Sequence, residues 1–416
     1  MRQVLSMQAL NSLYGADAYR QIARYSALTE AFFEAFGARE GVRLFSAPGR
    51  SEIGGNHTDH QHGCVLAAAV TLDVVAAAAP RADGRIYIRS AGYPPILLGT
   101  EDLAPRKREN NTSIALVRGI AARLAQLGYH TGGFDACIAS DVPKGSGLSS
   151  SAAYSILIAT IFSYLYNDGR VTPVEQALAS QYAENVYFGK PSGLMDQLAS
   201  ASGGFVAIDF ARAEQPVIAR IDCDLESLGY SICIVNAGGS HADLTPAYAA
   251  VPQEMGAVAA QFQKSCLREV DEAAFFSSID RLRGRVSDRA LLRAIHFFEE
   301  NARVRLQAEA LKAGDMDAFR QLMLASGRSS FMQLQNVCPP DDAERSVALA
   351  LALSARQLGN TGAWRIHGGG FAGTIQALVP NAQAEAYAAE MERVFGSGCC
   401  YRLAIRPIGG TEIAAV

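Results

Sequence analysis

The chain has 416 residues, 49% of them hydrophobic and 19% charged, with a formal net charge of -4. That length exceeds one ordinary core and fits two or three domains, with enough apolar material to bury them. Weak acidity excludes a broad electrostatic draw toward nucleic acid or an anionic membrane, so no such partner is expected, and an anionic ligand needs a local site of backbone amides, a few cations and a metal. Gln8, Asn11 and Ser12 interrupt the N-terminal stretch, and no apolar run reaches about 18 residues, so neither a targeting signal nor a membrane span is expected.

In chain order, residues 18–37 carry apolar positions at helical spacing (Tyr19, Ile22, Tyr25, Leu28, Phe32, Phe33, Phe36) and end on Gly37, a helix-stop residue. Strands are predicted at 42–46 and 64–79, with a glycine-rich turn region between them. A helix is predicted over 111–128 and an alternating strand over 133–141. After the break Pro143-Lys144-Gly145-Ser146-Gly147 comes a helix over 152–166, then another over 173–188 that stops at a Gly/Pro break. The second half reads as a strand at 229–236, helices at 289–314, 317–326 and 342–357, and strands at 374–379 and 401–407 flanking a helix at 381–395. Mixed strands and helices define an α+β or α/β class. A polar segment, Asp209–Gln215, marks a domain boundary in the region 210–228, taken here as domains 1–215 and 216–416.

The eight cysteines (Cys64, Cys137, Cys223, Cys233, Cys266, Cys338, Cys399, Cys400) have neither a framework spacing nor a CxxC pair. An intracellular, reduced, cytoplasmic protein is expected. The vicinal Cys399–Cys400 pair reads as two small residues entering the last strand rather than a redox site.

The strongest local signal for chemistry is Gly145-Ser146-Gly147-Leu148-Ser149-Ser150-Ser151-Ala152, between a strand and a helix. Glycines let the backbone curve tightly around a ligand, and the helix N-terminus then presents free amides and its dipole to an anion. The serines add hydroxyls and Lys144 a cation. The GxxxxGK[ST] order is absent, so this is not a Walker A loop.

This segment resembles the phosphate-binding motif of the galactokinase, homoserine kinase, mevalonate kinase and phosphomevalonate kinase (GHMP) superfamily. Three more segments agree in order. Ala47-Pro48-Gly49-Arg50-Ser51-Glu52-Ile53-Gly54-Gly55-Asn56-His57-Thr58-Asp59-His60 is similar to the galactokinase signature PGRxNxIGEHxDY. Gly193-Leu194-Met195-Asp196-Gln197 is similar to a G-I-M-D-Q segment, and Gly368-Gly369-Gly370-Phe371-Ala372-Gly373 to a late GAGFGG motif. The resemblance spans roughly residues 25–410 and rests on four ordered motifs.

The resemblance implies an α+β two-domain GHMP-kinase fold with the active site in the interdomain cleft. It implies ATP and Mg2+ as co-substrate and cofactor, and transfer of the γ-phosphate of ATP to the anomeric hydroxyl of a small sugar, galactose first. Asp196 is implied as the base or orienting group for the sugar hydroxyl, and Arg50 as the cation beside it. Nucleotide binding falls to Lys144, Gly145, Ser146, Gly147, Leu148, Ser149, Ser150 and Ser151, and metal binding to Ser150, Ser151 and Glu184. Sugar contacts fall to Asn56, His57, Asp59, Gly193 and Tyr248. Three positions depart from the signature: Glu52 stands for the usual Asn, Asn56 for the usual Glu, and His60 for the usual Tyr. Losing the carboxylate at 56 keeps galactose possible and opens the site to arabinose, galacturonate or N-acetylgalactosamine. Two rival classes are a metal hydrolase built on His57-Thr58-Asp59-His60-Gln61-His62 and a non-catalytic sugar sensor. The first has no need of the Gly145–Ser151 loop; the second is disfavoured by an intact loop, Arg50 and Asp196.

Overall fold

The computed structural model describes residues 6–38, 40–143, 146–190, 192–212, 215–238, 244–339, 345–371 and 373–413. Lys144 and Gly145 of the predicted loop lie outside them. The described strands are β1 (Arg43–Gly54), β2 (Cys64–Arg81), β3 (Arg85–Ser90), β4 (Ile96–Gly99), β5 (Gly133–Ser140), β6 (Phe205–Asp209), β7 (Val217–Ile221), β8 (Tyr230–Gly238), β9 (Ala363–Ile366), β10 (Gly373–Pro380), β11 (Cys400–Leu403) and β12 (Thr411–Ile413).

They form two sheets. The first has the order β12-β1-β2-β5-β3-β4, with β6 paired to β2 and β7 to β6; the second has the order β11-β8-β10-β9. All pairings are antiparallel except β3 with β5. The chain's last strand, β12, returns to the first sheet and pairs with β1. The mixed α+β class follows directly from this order.

The apolar run of β2 has a simple cause. Val74, Ala76 and Ala78 face one buried cluster, under the helix Ser150–Tyr166. Val75, Ala77 and Ala79 face another, closed by Leu10, Leu13, Tyr25, Leu28 and Phe32 of the N-terminal helices Met7–Tyr14 and Ala18–Phe36. With both faces covered, period-two alternation of polarity disappears. Small alanines let the backbones approach closely. On its second edge β2 pairs first with β6 and then with β5. Residues 404–406 fill the gap between them, through Thr71 N to Ala404 O at 3.1 Å and Arg406 N to Ala69 O at 2.9 Å. Beside this gap, fully buried Asp73 accepts from Tyr14 Oη at 2.5 Å, Arg24 Nη1 at 2.6 Å and Arg406 Nη1 at 3.0 Å. The N-terminal helices and the C-terminal segment are thereby tied to one carboxylate.

Several elements differ from expectation. The region expected as a turn after 46 is still strand: β1 continues to Gly54 with register shifts at Pro48/Arg50 and Glu52/Gly54. These bulges let a Pro-Gly pair sit inside a paired strand and re-aim Arg50. The helix expected over 173–188 is α-helical from Pro173 to Tyr182, with a Thr172/Glu175 capping box, and then widens into a π-helical turn, Ala183–Phe188. The strand expected at 401–407 stops at Leu403. Strands β3, β4, β6, β7, β9 and β12 and the helices Met195–Ser202 and Thr245–Gln261 had no clear sequence signal; the last holds Pro252 inside it.

Candidate active site

Arg50 leaves the bulge in β1 and meets Asp196 in the first turn of the helix Met195–Ser202. Its Nε and Nη2 atoms each lie 2.6 Å from a different carboxylate oxygen, a bidentate charge-assisted pair. Arg50 Nη1 donates to the carbonyl of Gly147, and its backbone amide donates to Leu148 O at 3.1 Å. Ser149 Oγ donates to Asp196. One constellation therefore joins β1, the loop and the Asp196 helix. Burial alone would raise the Asp196 pKa; the Arg50 charge and the hydrogen bonds from Arg50 and Ser149 outweigh it and hold the carboxyl below its usual range.

The loop geometry follows its sequence. Gly147 has φ +73° and Ser149 has φ 55°, both left-handed. At Gly147 a Cβ would lie 2.8 Å from His367 Nδ1, so the absence of a side chain is required. Ser146 Oγ closes the turn onto Pro143 O at 2.7 Å. The helix Ser150–Tyr166 begins with no side-chain cap, because Ser149 is turned toward Asp196 instead. Its first-turn amides are thus left for an anion. Its body is anchored by buried Ile156, Leu157, Ile161 and Phe162.

Glu184 sits in the π-helical turn, 3% exposed, with Gln197 Nε2 donating to Oε2 at 3.2 Å. Burial pushes its pKa up, opposed by hydrogen bonds from Ser192 and Ser151 and by the charge of Lys190. A buried carboxylate bonded to a loop serine hydroxyl is a hard-oxygen donor set, and it fits a magnesium ion.

The segment 55–63 forms the next wall. Gly193 and Asp59 touch: a Cβ at Gly193 would lie 2.8 Å from Asp59 Oδ2. His57 donates from Nε2 to Gly369 O at 2.9 Å, and burial lowers its pKa to about 4, so it is neutral. Tyr248 donates from Oη to Gly370 O at 2.7 Å, and its ring meets Phe371 edge-on at 5.3 Å. Asp59 thus lies against Gly193, three residues before Asp196, and His57 and Tyr248 both bond the glycine backbone at 369–370.

Asn56 is fully buried. Its Nδ2 donates to Glu52 Oε1 at 3.1 Å and Gly368 O at 2.6 Å, and its Oδ1 accepts from Asn336 Nδ2 at 2.7 Å. Glu52 in turn holds Arg365 at 3.0 Å. Two of the three departures from the signature, Glu52 and Asn56, are therefore hydrogen-bonded partners. His296 supports the same turn by donating to Asn56 O at 2.9 Å, and Glu300 by accepting from Gly55 N at 3.1 Å. Arg365, Asn336, His367 and Gln197 were given no role from sequence; a lone buried polar residue carries no local pattern, although Gln197 closes the Gly193–Gln197 motif and Arg365 and His367 precede the late glycines. Two clefts of about 430 and 610 Å³ are lined by none of the implied site residues.

Among the described residues no group of three or more His, Cys, Asp or Glu could hold a metal ion, so the hydrolase reading of His57–His62 has no metal cluster behind it.

The GHMP kinase N-terminal domain description matches residues 115–204, which hold the loop and Asp196. A Methanococcus jannaschii mevalonate kinase structure superposes with a TM-score of 0.62 at 16% identity, covering 88% of this chain and 99% of that one. Fold and site together define a GHMP-type kinase. The galactokinase galactose-binding signature matches residues 30–80. A Streptomyces coelicolor galactokinase is 33% identical over 374 residues, covering 88% of this chain and 92% of the relative. A Lactococcus lactis galactokinase solved with galactose superposes with a TM-score of 0.79 at 25% identity, over 93% of this chain and 99% of that one. This chain belongs to the galactokinase family.

Proposed function

We propose that this protein transfers the γ-phosphoryl group of ATP to the anomeric hydroxyl of galactose. The observation that carries this reading is the Arg50–Asp196–Ser149 constellation, built against the Gly147 carbonyl and beside Asp59, His57 and Tyr248. Asp196, held ionised, accepts the proton of the sugar hydroxyl or aligns that hydroxyl for attack. Arg50 is placed to stabilise charge on the phosphoryl group in transfer. The amides of Ser150 and Ser151, with the backbone of Ser146–Ser149, hold the phosphates. Asp59, His57, Gly193 and Tyr248 orient the sugar, and Asn56 shapes the wall behind them.

A bound magnesium ion would supply positive charge to offset that of the phosphates. Ser150 or Ser151 and Glu184 would hold it. The reaction site lies between the half of the chain before about residue 215 and the half after it, with β12 returning to the first sheet. No described helix is long and apolar enough to cross a membrane. The eight cysteines are free thiols, the form a reducing compartment maintains.

A second reading has one specific observation in its favour. The carboxylate at position 52 is drawn toward Arg365, and position 56 carries an amide. A related sugar such as galacturonate, arabinose or N-acetylgalactosamine would meet no carboxylate at 56. The test is ADP release with MgATP against galactose and these sugars. Turnover preferring galactose supports the first reading, turnover preferring another supports the second, and none with any of them overturns both.

A further inference from the structure

His367 takes no part in the roles above, yet it lies directly beneath them. It follows β9, in the second sheet, and is 2% exposed. Its Nε2 is 3.0 Å from Ser51 Oγ on β1, and its Nδ1 is 3.2 Å from Thr374 Oγ1 on β10. Gln376 Nε2 already donates to Ser51 Oγ at 2.6 Å. A hydroxyl can accept twice and donate once, so Ser51 bridges Gln376 and His367 Nε2 in either ring tautomer. On the other side of the ring Nδ1 faces Thr374 Oγ1, with the Ser146 backbone as a second hydrogen-bonding neighbour. The backbone of Gly147 rests on the ring.

Ser51 is next to Arg50 in the chain, and Gly147 is the residue whose carbonyl accepts from Arg50. His367 thus touches the neighbours of Arg50 on both sides, from an element of the other sheet. We propose that His367 is a positioning residue that holds the phosphate-binding loop in register with Arg50 and Asp196. The proposal rests on the ATP-dependent kinase reading. Burial and then the charges of Arg50 and Arg365 push its pKa down to about 3, so the ring stays neutral and adds no repulsion to Arg50.

The test compares wild type, His367→Ala, His367→Gln and Ser51→Ala. Binding of a non-hydrolysable ATP analogue with magnesium is measured by calorimetry without sugar, and steady-state kinetics with it. Loosening the loop by a fraction of an ångström should weaken nucleotide binding about tenfold and lower kcat at least about tenfold in His367→Ala. The sugar KM should stay within about twofold, since the ring touches none of the sugar-facing residues. Ser51→Ala should show a smaller loss in the same direction, and His367→Gln should recover part of it. Neither variant should introduce a new limb in the pH profile between pH 5 and 8, because the wild-type ring does not titrate there. Nucleotide affinity and kcat within twofold of wild type in folded His367→Ala, or a loss confined to the sugar KM, would overturn the proposal. Should His367→Ala not fold, wild-type behaviour of both Ser51→Ala and His367→Gln overturns it equally. A wild-type protein that binds no nucleotide and turns over no sugar sinks the kinase reading and this proposal with it, whereas wild-type turnover with unchanged variants sinks this proposal alone.

Discussion

Arg50 grips Asp196 with two parallel hydrogen bonds of 2.6 Å, one to each carboxylate oxygen. The pair joins β1 to the Asp196 helix, and the arginine's third nitrogen reaches the loop carbonyl of Gly147. Charge, loop and nucleophile-facing carboxylate are therefore set by one side chain. Asp196→Ala should lower kcat by about 10²–10⁴-fold, the scale of a lost positioned base. Arg50→Ala should lower it by about 10²–10³-fold. Circular dichroism should show both variants folded; ample turnover by folded Asp196→Ala would remove its role.

The same pair sets a pH dependence. Asp196 is held below the usual carboxylate range, so its charged form, and the stability linked to it, are present above that range and are lost as pH falls through the lowered value. Wild-type kcat/KM should show no Asp196 limb from pH 5 to 8. In Arg50→Ala, burial is left to raise the carboxyl, and the acid limb of the residual activity should move upward. Profiles of kcat/KM from pH 4 to 8 measure this, and an unmoved limb would disconnect the two residues.

Glu184 is a buried carboxylate with serine hydroxyls and Gln197 as neighbours, its pKa raised by burial. A divalent cation would offset that burial. Glu184→Gln should raise the magnesium concentration for half-maximal activity by about tenfold or more, the loss typical of weakening one ligand or its support. Titrating magnesium at fixed ATP reads this out. An unchanged magnesium curve would exclude Glu184 from the metal.

Glu52 and Asn56 should behave as one unit. Glu52→Asn leaves Arg365, which is 0% exposed, without its carboxylate, a loss of about 3–5 kcal/mol for a broken buried pair. Asn56→Glu sets a second carboxylate against Glu52 and the carbonyl of Gly368. In the double variant a carboxylate and an amide again face each other, so denaturant unfolding should show a coupling energy of about 0.5–3 kcal/mol in a double-mutant cycle. Moving the charge to 56 should also lower turnover of galacturonate relative to galactose. Strict additivity would show that the two positions do not interact.

Much of this protein was legible in its residues. The phosphate loop could be read because glycines, serines and a following apolar run form one contiguous pattern, and helices such as Ser150–Tyr166 because their burial is periodic or continuous. Arg50, Asp196, Asp59, His57 and Gly193 lie in contiguous motifs, so local order alone marked them. Chain order could not show that Glu52 and Asn56 touch, or that Arg365 and Asn336 complete their bonding from more than 270 residues away. Nor could it show β12 closing on β1, where a three-residue strand has too little length for a pattern. His367 is the clearest case. It stands between Ile366 and a run of glycines, and its meaning comes from Ser51, Thr374 and Gly147, brought to it by the packing of distant segments. Short-range spacing determines which groups the chain can offer. Long-range packing decides which of them share a proton, a charge or a wall, because hydrogen bonds and burial depend on distances in space that no local pattern encodes.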